Sequence, residues 1–390
     1  MKQVFASRMD KLGTETAFEV LAKAKALEKE GRDIVHLEIG EPDFDTPSNI
    51  KEAAVKAMKA GYTHYVPAAG IPELRNAIAE YLSKSRDIKV DPDEIVVTPG
   101  AKPIIFFSIL ACVEPGDEVM YPNPGFPIYE SMINFVGAKP VPMPLKEEND
   151  FRIDNEDTAK KITEKTKMII LNSPENPTGG VLSKDNLEAV TDRVKGRDDV
   201  FVLSDEVYSQ MPYEGRHMSI ASFLTMKDKT ILLDGFSKTY AMTGWRLGYA
   251  AMRKDLAQKV TQLMINSNSC TCAFTQMAGV EALRGPQTES KKMVEEFRRR
   301  REVIVSGLNS IKGIACKKPQ GAFYVFPNVK SFGMESKKLS DLILQKAGVA
   351  VLSGTAFGAY GEGYLRLSFA NSVENIQKAI KRISDVVKTL

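Results

Sequence analysis

Five segments of the sequence place reactive or ligand-holding side chains directly after a short apolar run. Run 95–98 is followed by Pro99-Gly100-Ala101-Lys102, and run 118–121 by a loop holding Phe126 between Gly125 and Pro127. Run 168–172 leads into Ser173-Pro174-Glu175-Asn176-Pro177-Thr178-Gly179, and run 200–204 into Asp205-Glu206-Val207-Tyr208. Run 230–234 gives way to Gly235-Phe236-Ser237-Lys238. A lysine amine can be a nucleophile or a base once its pKa is lowered, and a small-residue turn that opens a helix can hold a phosphate on its free N–H groups. Taken singly, each has an ordinary explanation: Gly100-Ala101-Lys102 a strand-to-helix turn, Asp205 a helix cap, Lys238 a surface lysine, Phe126 packing, Asn176 a turn residue.

Taken together they supply what one cofactor needs. Pyridoxal phosphate requires a lysine for its Schiff base and a carboxylate at its pyridine nitrogen, which keeps the ring able to accept electrons. It also needs a phosphate cradle and gains from an aromatic face. No G-x-G-x-x-G follows a strand and no G-x-x-x-x-G-K-[ST] is present, so no rival nucleotide motif competes.

The elements that must position these residues alternate. Runs 95–98, 118–121, 139–143, 168–172, 200–204, 230–234 and 246–251 read as strands that are apolar on both faces, with amphipathic stretches such as 104–113 and 186–194 between them. That pattern predicts an α/β fold, a mostly parallel seven-stranded sheet covered by helices, with ligands held beyond the carboxyl ends of its strands. The ends of the chain differ. A helix is expected over 16–30, stopping at Gly31, and a long charged helix from about 287. Short runs at 321–326, 349–352 and 364–369 follow, then a final helix with Ile376, Ala379, Ile380, Ile383 and Val387 on one face. These features predict a large domain over 47–286 and a smaller α+β domain made from 1–46 and 287–390.

Composition narrows the class. With 53 basic and 50 acidic residues the net charge is +3, which gives no case for nucleic acid or an anionic membrane. The cluster Arg298-Arg299-Arg300-Arg301, beside Glu295 and Glu296, reads as a solvated helix face. Cys112, Cys270, Cys272 and Cys316 are too few and scattered for a disulfide scaffold and suit a reducing compartment; Cys270 and Cys272 lack the spacing and second pair of a metal site. His36, His64 and His217 fall in no ligand pattern. The opening residues hold no apolar stretch like that of a secretion signal, and the longest apolar run, 104–113, is too short to cross a bilayer. A cytoplasmic protein is expected.

The sequence resembles the class I/II, fold type I aminotransferases, nearest to their prokaryotic aspartate, aromatic and alanine branch. The resemblance rests on SKTYAMTGWRLGY at 237–249, GEPDF at 40–44, YVPAAGIPEL at 65–74, NSPENPTG at 172–179, SDEVY at 204–208 and YLRLS at 364–368. It implies that Lys238 bears the cofactor and moves the proton, that Asp205 pairs with the ring nitrogen, and that Asn176 and Tyr208 bond the ring oxygen. It implies Phe126 stacked on the ring, a phosphate site from Gly100, Ala101, Lys102, Ser237 and Arg246, and Arg366 as the fork for the substrate α-carboxylate. Gly40 would lie over the substrate. Tyr65 would reach the phosphate in a neighbouring subunit, making a homodimer with shared active sites. The implied activity is ping-pong transfer of an amino group from an L-amino acid to a 2-oxo acid such as 2-oxoglutarate.

Two departures stand out. Gly235 occupies a position where some relatives place a phosphate-binding serine. No arginine stands in 266–272, where aspartate-specific relatives carry one for the distal carboxylate, although some prokaryotic relatives use a lysine at the position of Lys102. Other chemistry on the same scaffold, such as C–S bond elimination or decarboxylation, stays open. A non-enzymatic sensor domain of a transcription regulator is disfavoured, since the family pattern begins by residue 40 and leaves no room for a preceding DNA-binding domain.

Overall fold

A computed structural model of the chain describes residues 4–390. Near the N-terminus a two-residue strand, β1 (Val35–His36), is followed by the seven strands of the main sheet. These are β2 (Ile95–Thr98), β3 (Glu118–Asn123), β4 (Lys139–Pro144), β5 (Thr166–Asn172), β6 (Phe201–Asp205), β7 (Thr230–Gly235) and β8 (Gly248–Ala251). Their order across the sheet is β2-β8-β7-β6-β5-β3-β4, with every pairing parallel except the two made by β8. The reversal of β8 has a simple cause. Only residues 236–247 join it to β7, and their one helix, Phe236–Thr239, is too short to form the crossover that a parallel return requires.

Except at the edge strand β4, the strands bury both faces, and the pleat sorts their side chains into separate cores. Val96, Ile170, Leu203, Ile231, Leu233 and Ala250 join one cluster with the helices Lys102–Cys112, Ile128–Phe135 and Lys254–Ser267. Ile95, Val97, Leu232, Tyr249 and Ala251 point the other way, onto the helices Pro72–Arg86 and Ala273–Arg284. Burial on both faces explains why the runs are continuously apolar rather than alternating. Expected and observed limits agree closely: 95–98 is reproduced, and the stretch 186–194 is the end of a helix Lys184–Val194, started by a reciprocal capping box between Ser183 and Asn186. The run 246–251 is shorter than expected, because Arg246 stands outside the strand with φ +54.

The last third of the chain holds β9 (Tyr324–Val325), β10 (Val349–Ala350), β11 (Leu352–Ser353) and β12 (Leu365–Ser368), the middle pair separated by one residue. β12 pairs antiparallel with both β9 and β11, and β10 runs parallel to β1. One core cluster joins Val35 and Leu37 to Phe297, Phe323, Val349, Phe369 and the final helix Val373–Val387, which buries Ile376, Ala379, Ile383 and Val387. The helix Thr16–Lys29 packs Ala24 and Leu27 against Leu344 and Ala350. Among the described residues no helix is long and apolar enough to cross a membrane.

The four-arginine cluster departs from expectation. It lies on the helix Thr288–Asn309, and Arg300 and Arg301 are only 6% and 2% exposed. Arg300 stacks 4.8 Å from the Phe44 ring centre and bonds Asp43 at 2.6 Å; Arg301 lies 4.4 Å over Tyr213 and bonds Glu214. Both share a face with Phe297, Ile304 and Leu308, so helical phase, not local composition, sets their burial. The flat guanidinium tolerates this by stacking and by meeting carboxylates at its edge.

Candidate active site

A cavity of about 560 Å³ opens at the carboxyl ends of β3, β5, β6 and β7. Of the residues singled out from the sequence, Gly40, Ala101, Lys102, Phe126 and Asn176 line it, as do Asp205, Tyr208, Ser237, Lys238, Arg246 and Arg366. Gly100 stands just behind, under the Arg246 guanidinium. Tyr65 is not among the lining residues. It is 88% exposed in the single chain.

Lys238 follows β7 on the short helix and its Nζ donates to the Gly40 carbonyl. Burial pushes its pKa down to about 8; Glu41 and Glu15 oppose this, and the cations Arg366 and Arg246 add to it. At neutral pH an appreciable share of the amine is therefore unprotonated, as a nucleophile or base must be. Asp205 ends β6 on the cavity floor, where its Oδ2 accepts from the Tyr129 hydroxyl at 2.7 Å. Burial raises its carboxyl to about 6, with the Asp234 and Glu206 charges in the same direction. Such a group gains by meeting a cation.

The other walls are polar groups held in place by neighbours. The Tyr208 and Tyr324 hydroxyls share a hydrogen bond of 2.6 Å. Asn176 is fixed through its backbone N–H, which donates to Asn172 Oδ1 at 3.0 Å, while its own Oδ1 is buried without a partner. Arg366, on β12, donates to the Glu38 carbonyl and stacks 4.6 Å from the Tyr324 ring centre, but its Nε is also buried and unpartnered. Unpaired buried polar atoms are costly, and two of them belong to residues that line this cavity, where a ligand can complete the bonding. Phe126 packs edge-on against Tyr129 at 5.9 Å.

One end of the cavity has the form of a phosphate cradle. Gly100 has φ +92, and a Cβ there would stand 2.3 Å from Arg246 Nη2. A Cβ on Gly248 would stand 2.3 Å from the Ala101 nitrogen. Only glycine at both positions lets the backbone, the guanidinium and the start of the helix Lys102–Cys112 converge, with Ser237 beside them. Free N–H groups, a helix dipole and an arginine suit a phosphate dianion. With a lysine of lowered pKa, a buried carboxylate and unpartnered polar atoms in the same cavity, the residues fit pyridoxal phosphate.

Among the lining residues that the sequence did not single out are Tyr324, Tyr129, Glu15 and Phe357. Tyr129 had a signal, three residues after Phe126 at the start of a helix and so on the same side. The others come from the C-terminal third and the N-terminal segment, and nothing local points to the cavity.

The whole chain has close counterparts. It is 45% identical to an aspartate aminotransferase of Pyrococcus abyssi over 363 residues, 92% of each chain. It is 42% identical to an aromatic-amino-acid aminotransferase of Thermococcus litoralis, covering 91% of this chain and 92% of that one. The solved structure of the Thermus thermophilus aspartate aminotransferase with maleate superimposes with a TM-score of 0.93 at 37% identity, over 98% of this chain and 100% of that one. A family model described as aminotransferase class I and II matches residues 32–383. From near its first strand to its last helix the chain belongs to that family, and it is an amino-acid aminotransferase that uses pyridoxal phosphate.

Proposed function

We propose that the enzyme transfers the amino group of an L-amino acid of the aspartate, alanine or aromatic class to a 2-oxo acid, with 2-oxoglutarate as the acceptor, in a ping-pong cycle centred on Lys238. The observation that supports this most is the convergence of Lys238, Asp205, Tyr208, Asn176, Arg246 and Arg366 on one cavity. Pyridoxal phosphate, when bound, supplies an electron sink for the pair left on the substrate α-carbon.

The residues divide the remaining work. The amine of Lys238 would hold the cofactor covalently and, when free, would take and return the proton at the substrate α-carbon. Asp205, steadied by Tyr129, keeps a proton on the ring nitrogen. Asn176 and Tyr208 would hold the ring oxygen, and Phe126 would pack on the ring. Gly100, Ala101, Lys102, Ser237 and Arg246 hold the phosphate, Lys102 through its backbone N–H at the helix start. Arg366 grips the α-carboxylate through nitrogens left free by its stacking on Tyr324. Gly40 stays bare because any Cβ would stand 2.1 Å from the Tyr324 hydroxyl.

The same reading includes a cytoplasmic homodimer with shared active sites, in which the exposed Tyr65 reaches the phosphate of the neighbouring subunit. It also includes the division into 47–286 and 1–46 with 287–390, supported by the common core of β1 with the C-terminal strands. The test is a half-reaction. Cofactor-loaded protein given one amino acid and no acceptor should release one equivalent of the matching 2-oxo acid per subunit. It should then convert added 2-oxoglutarate to glutamate. Release of ammonia with no amino transfer would contradict the proposal and assign a lyase instead.

A further inference from the structure

Four cations line the cavity, and three have partners that follow from the chemistry above: Arg246 the phosphate, Arg366 the α-carboxylate, Lys238 the cofactor. The fourth is the ammonium of Lys102. It lies 5.3 Å from the centre of the Phe126 ring, which also lines the cavity. Of the lining carboxylates, Asp205 serves the ring nitrogen and Glu41 accepts from the Thr243 hydroxyl. The remaining one, Glu15, pairs with Lys102.

This pair is unlike an incidental surface contact. Glu15 sits at the N-cap position of the helix Thr16–Lys29, yet its carboxylate does not cap that helix and turns to Lys102 instead. Its side chain is 23% exposed and that of Lys102 41%, so the pair lies at the cavity mouth. The segment that brings Glu15 there is anchored on the helix Ile128–Phe135, where the Gly13 N–H donates to Ser131 Oγ at 2.8 Å. The cavity these two enter also has apolar walls, with Ala17, Phe18, Phe126, Leu352 and Phe357 among its lining residues.

We propose that Glu15 is the specificity-determining residue of this end of the cavity. It occupies Lys102 as a built-in carboxylate. A neutral or aromatic side chain is accepted with the pair intact, against the apolar walls. A substrate with a second carboxylate is accepted only by taking the place of Glu15 on Lys102, because two carboxylates on one ammonium repel each other. Dicarboxylate affinity is thus lowered by the competition from Glu15, as for any ligand whose competent state is only partly populated.

The proposal rests on the aminotransferase reading, and a binding experiment with unreactive ligands separates the two. Butanedioate, a dicarboxylate, and 3-phenylpropanoate, an apolar monocarboxylate, are titrated into the cofactor-loaded protein by calorimetry. For a partly exposed pair, Glu15→Gln should tighten butanedioate about tenfold and change 3-phenylpropanoate by less than about twofold. Lys102→Gln should weaken butanedioate by about the same tenfold factor. The kcat/KM ratio of aspartate to phenylalanine should rise in Glu15→Gln and fall in Lys102→Gln. If Glu15→Gln leaves the preference between the two ligands unchanged, or tightens both equally, Glu15 does not set specificity. The aminotransferase reading would still stand on the half-reaction of the wild-type protein, and a wild-type protein that transfers no amino group would sink that reading whatever these ligands do.

Discussion

Two clusters of buried charge lie close together at the end of β6. Asp205 faces the cavity with Lys238, Asn176, Tyr208 and Arg366. Its neighbours Ser204 and Glu206 belong to a second cluster with Arg86, Asp234, Ser209, Ser219 and His217. In the second cluster every carboxylate oxygen is bonded. Arg86 donates to Glu206 at 2.7 Å and to Asp234 at 2.8 Å, and the serines, His217 and the Gly235 N–H fill the rest. Glu206 is held well below the usual carboxylate range by His217 and Arg86 against the cost of burial. Burial raises Asp205 in the first cluster and Asp234 in the second alike, each to about 6, but only the first holds a lysine, its amine pushed down to about 8, and there Asn176 Oδ1 and Arg366 Nε have no partner. Equal burial therefore serves two ends. A network whose carboxylates are all bonded, with only His217 Nδ1 left over, fixes the backbone, and one left open around a cavity can be completed by a ligand.

The comparison can be broken most sharply at its two basic residues. Lys238→Ala should lower kcat by about 10²–10⁴-fold or more, with little change in melting temperature, because it removes the acid–base group and no structural contact of weight. Steady-state kinetics beside a thermal melt checks this. Arg86→Met should do the reverse. It strands two buried carboxylates and should cost about 3–5 kcal/mol of unfolding free energy, read from urea melts, while the folded fraction keeps kcat within a few-fold. Loss of kcat at unchanged stability would place Arg86 in the catalytic cluster.

Asp205→Asn should weaken cofactor binding by about 1.5–3 kcal/mol, since a charge-assisted bond to the ring nitrogen is lost. The pH dependence gives the same residue a second test. Binding needs the carboxylate ionised, and in the free protein its pKa is about 6, so cofactor affinity should fall as pH drops through about 6 and the fall should be absent in Asp205→Asn. Covalent capture needs the neutral amine of Lys238, so its rate should climb with pH and level off above about 8. The smallest effect is expected for Tyr208→Phe. One hydroxyl worth about 1 kcal/mol is removed, and kcat/KM should fall by roughly tenfold or less with the melt nearly unchanged.

Much of this site was legible because strand ends are local. Lys102, Phe126, Asn176, Asp205 and Lys238 each follow their own apolar run, and a parallel sheet gathers all such ends at one edge. Gly40 and Arg366 lie far from those runs in sequence and were reached only through family resemblance. Tyr324 and Glu15 were missed because packing of the C-terminal third and the N-terminal segment brings them in. The reversed direction of β8 followed from a connection length, which the sequence contained but apolar content did not express. Arg300 and Arg301 show the opposite failure: charge suggested solvent, and helical phase buried them against Phe44 and Tyr213.

The central claim is that Lys238 bears the cofactor. Cofactor-loaded protein treated with borohydride, digested and mapped by mass spectrometry should carry the reduced phosphopyridoxyl group on the peptide containing Lys238, at one per subunit, and no label should remain in Lys238→Ala. Label on Lys102 or another lysine at comparable yield, or no label on protein that binds the cofactor, would contradict it.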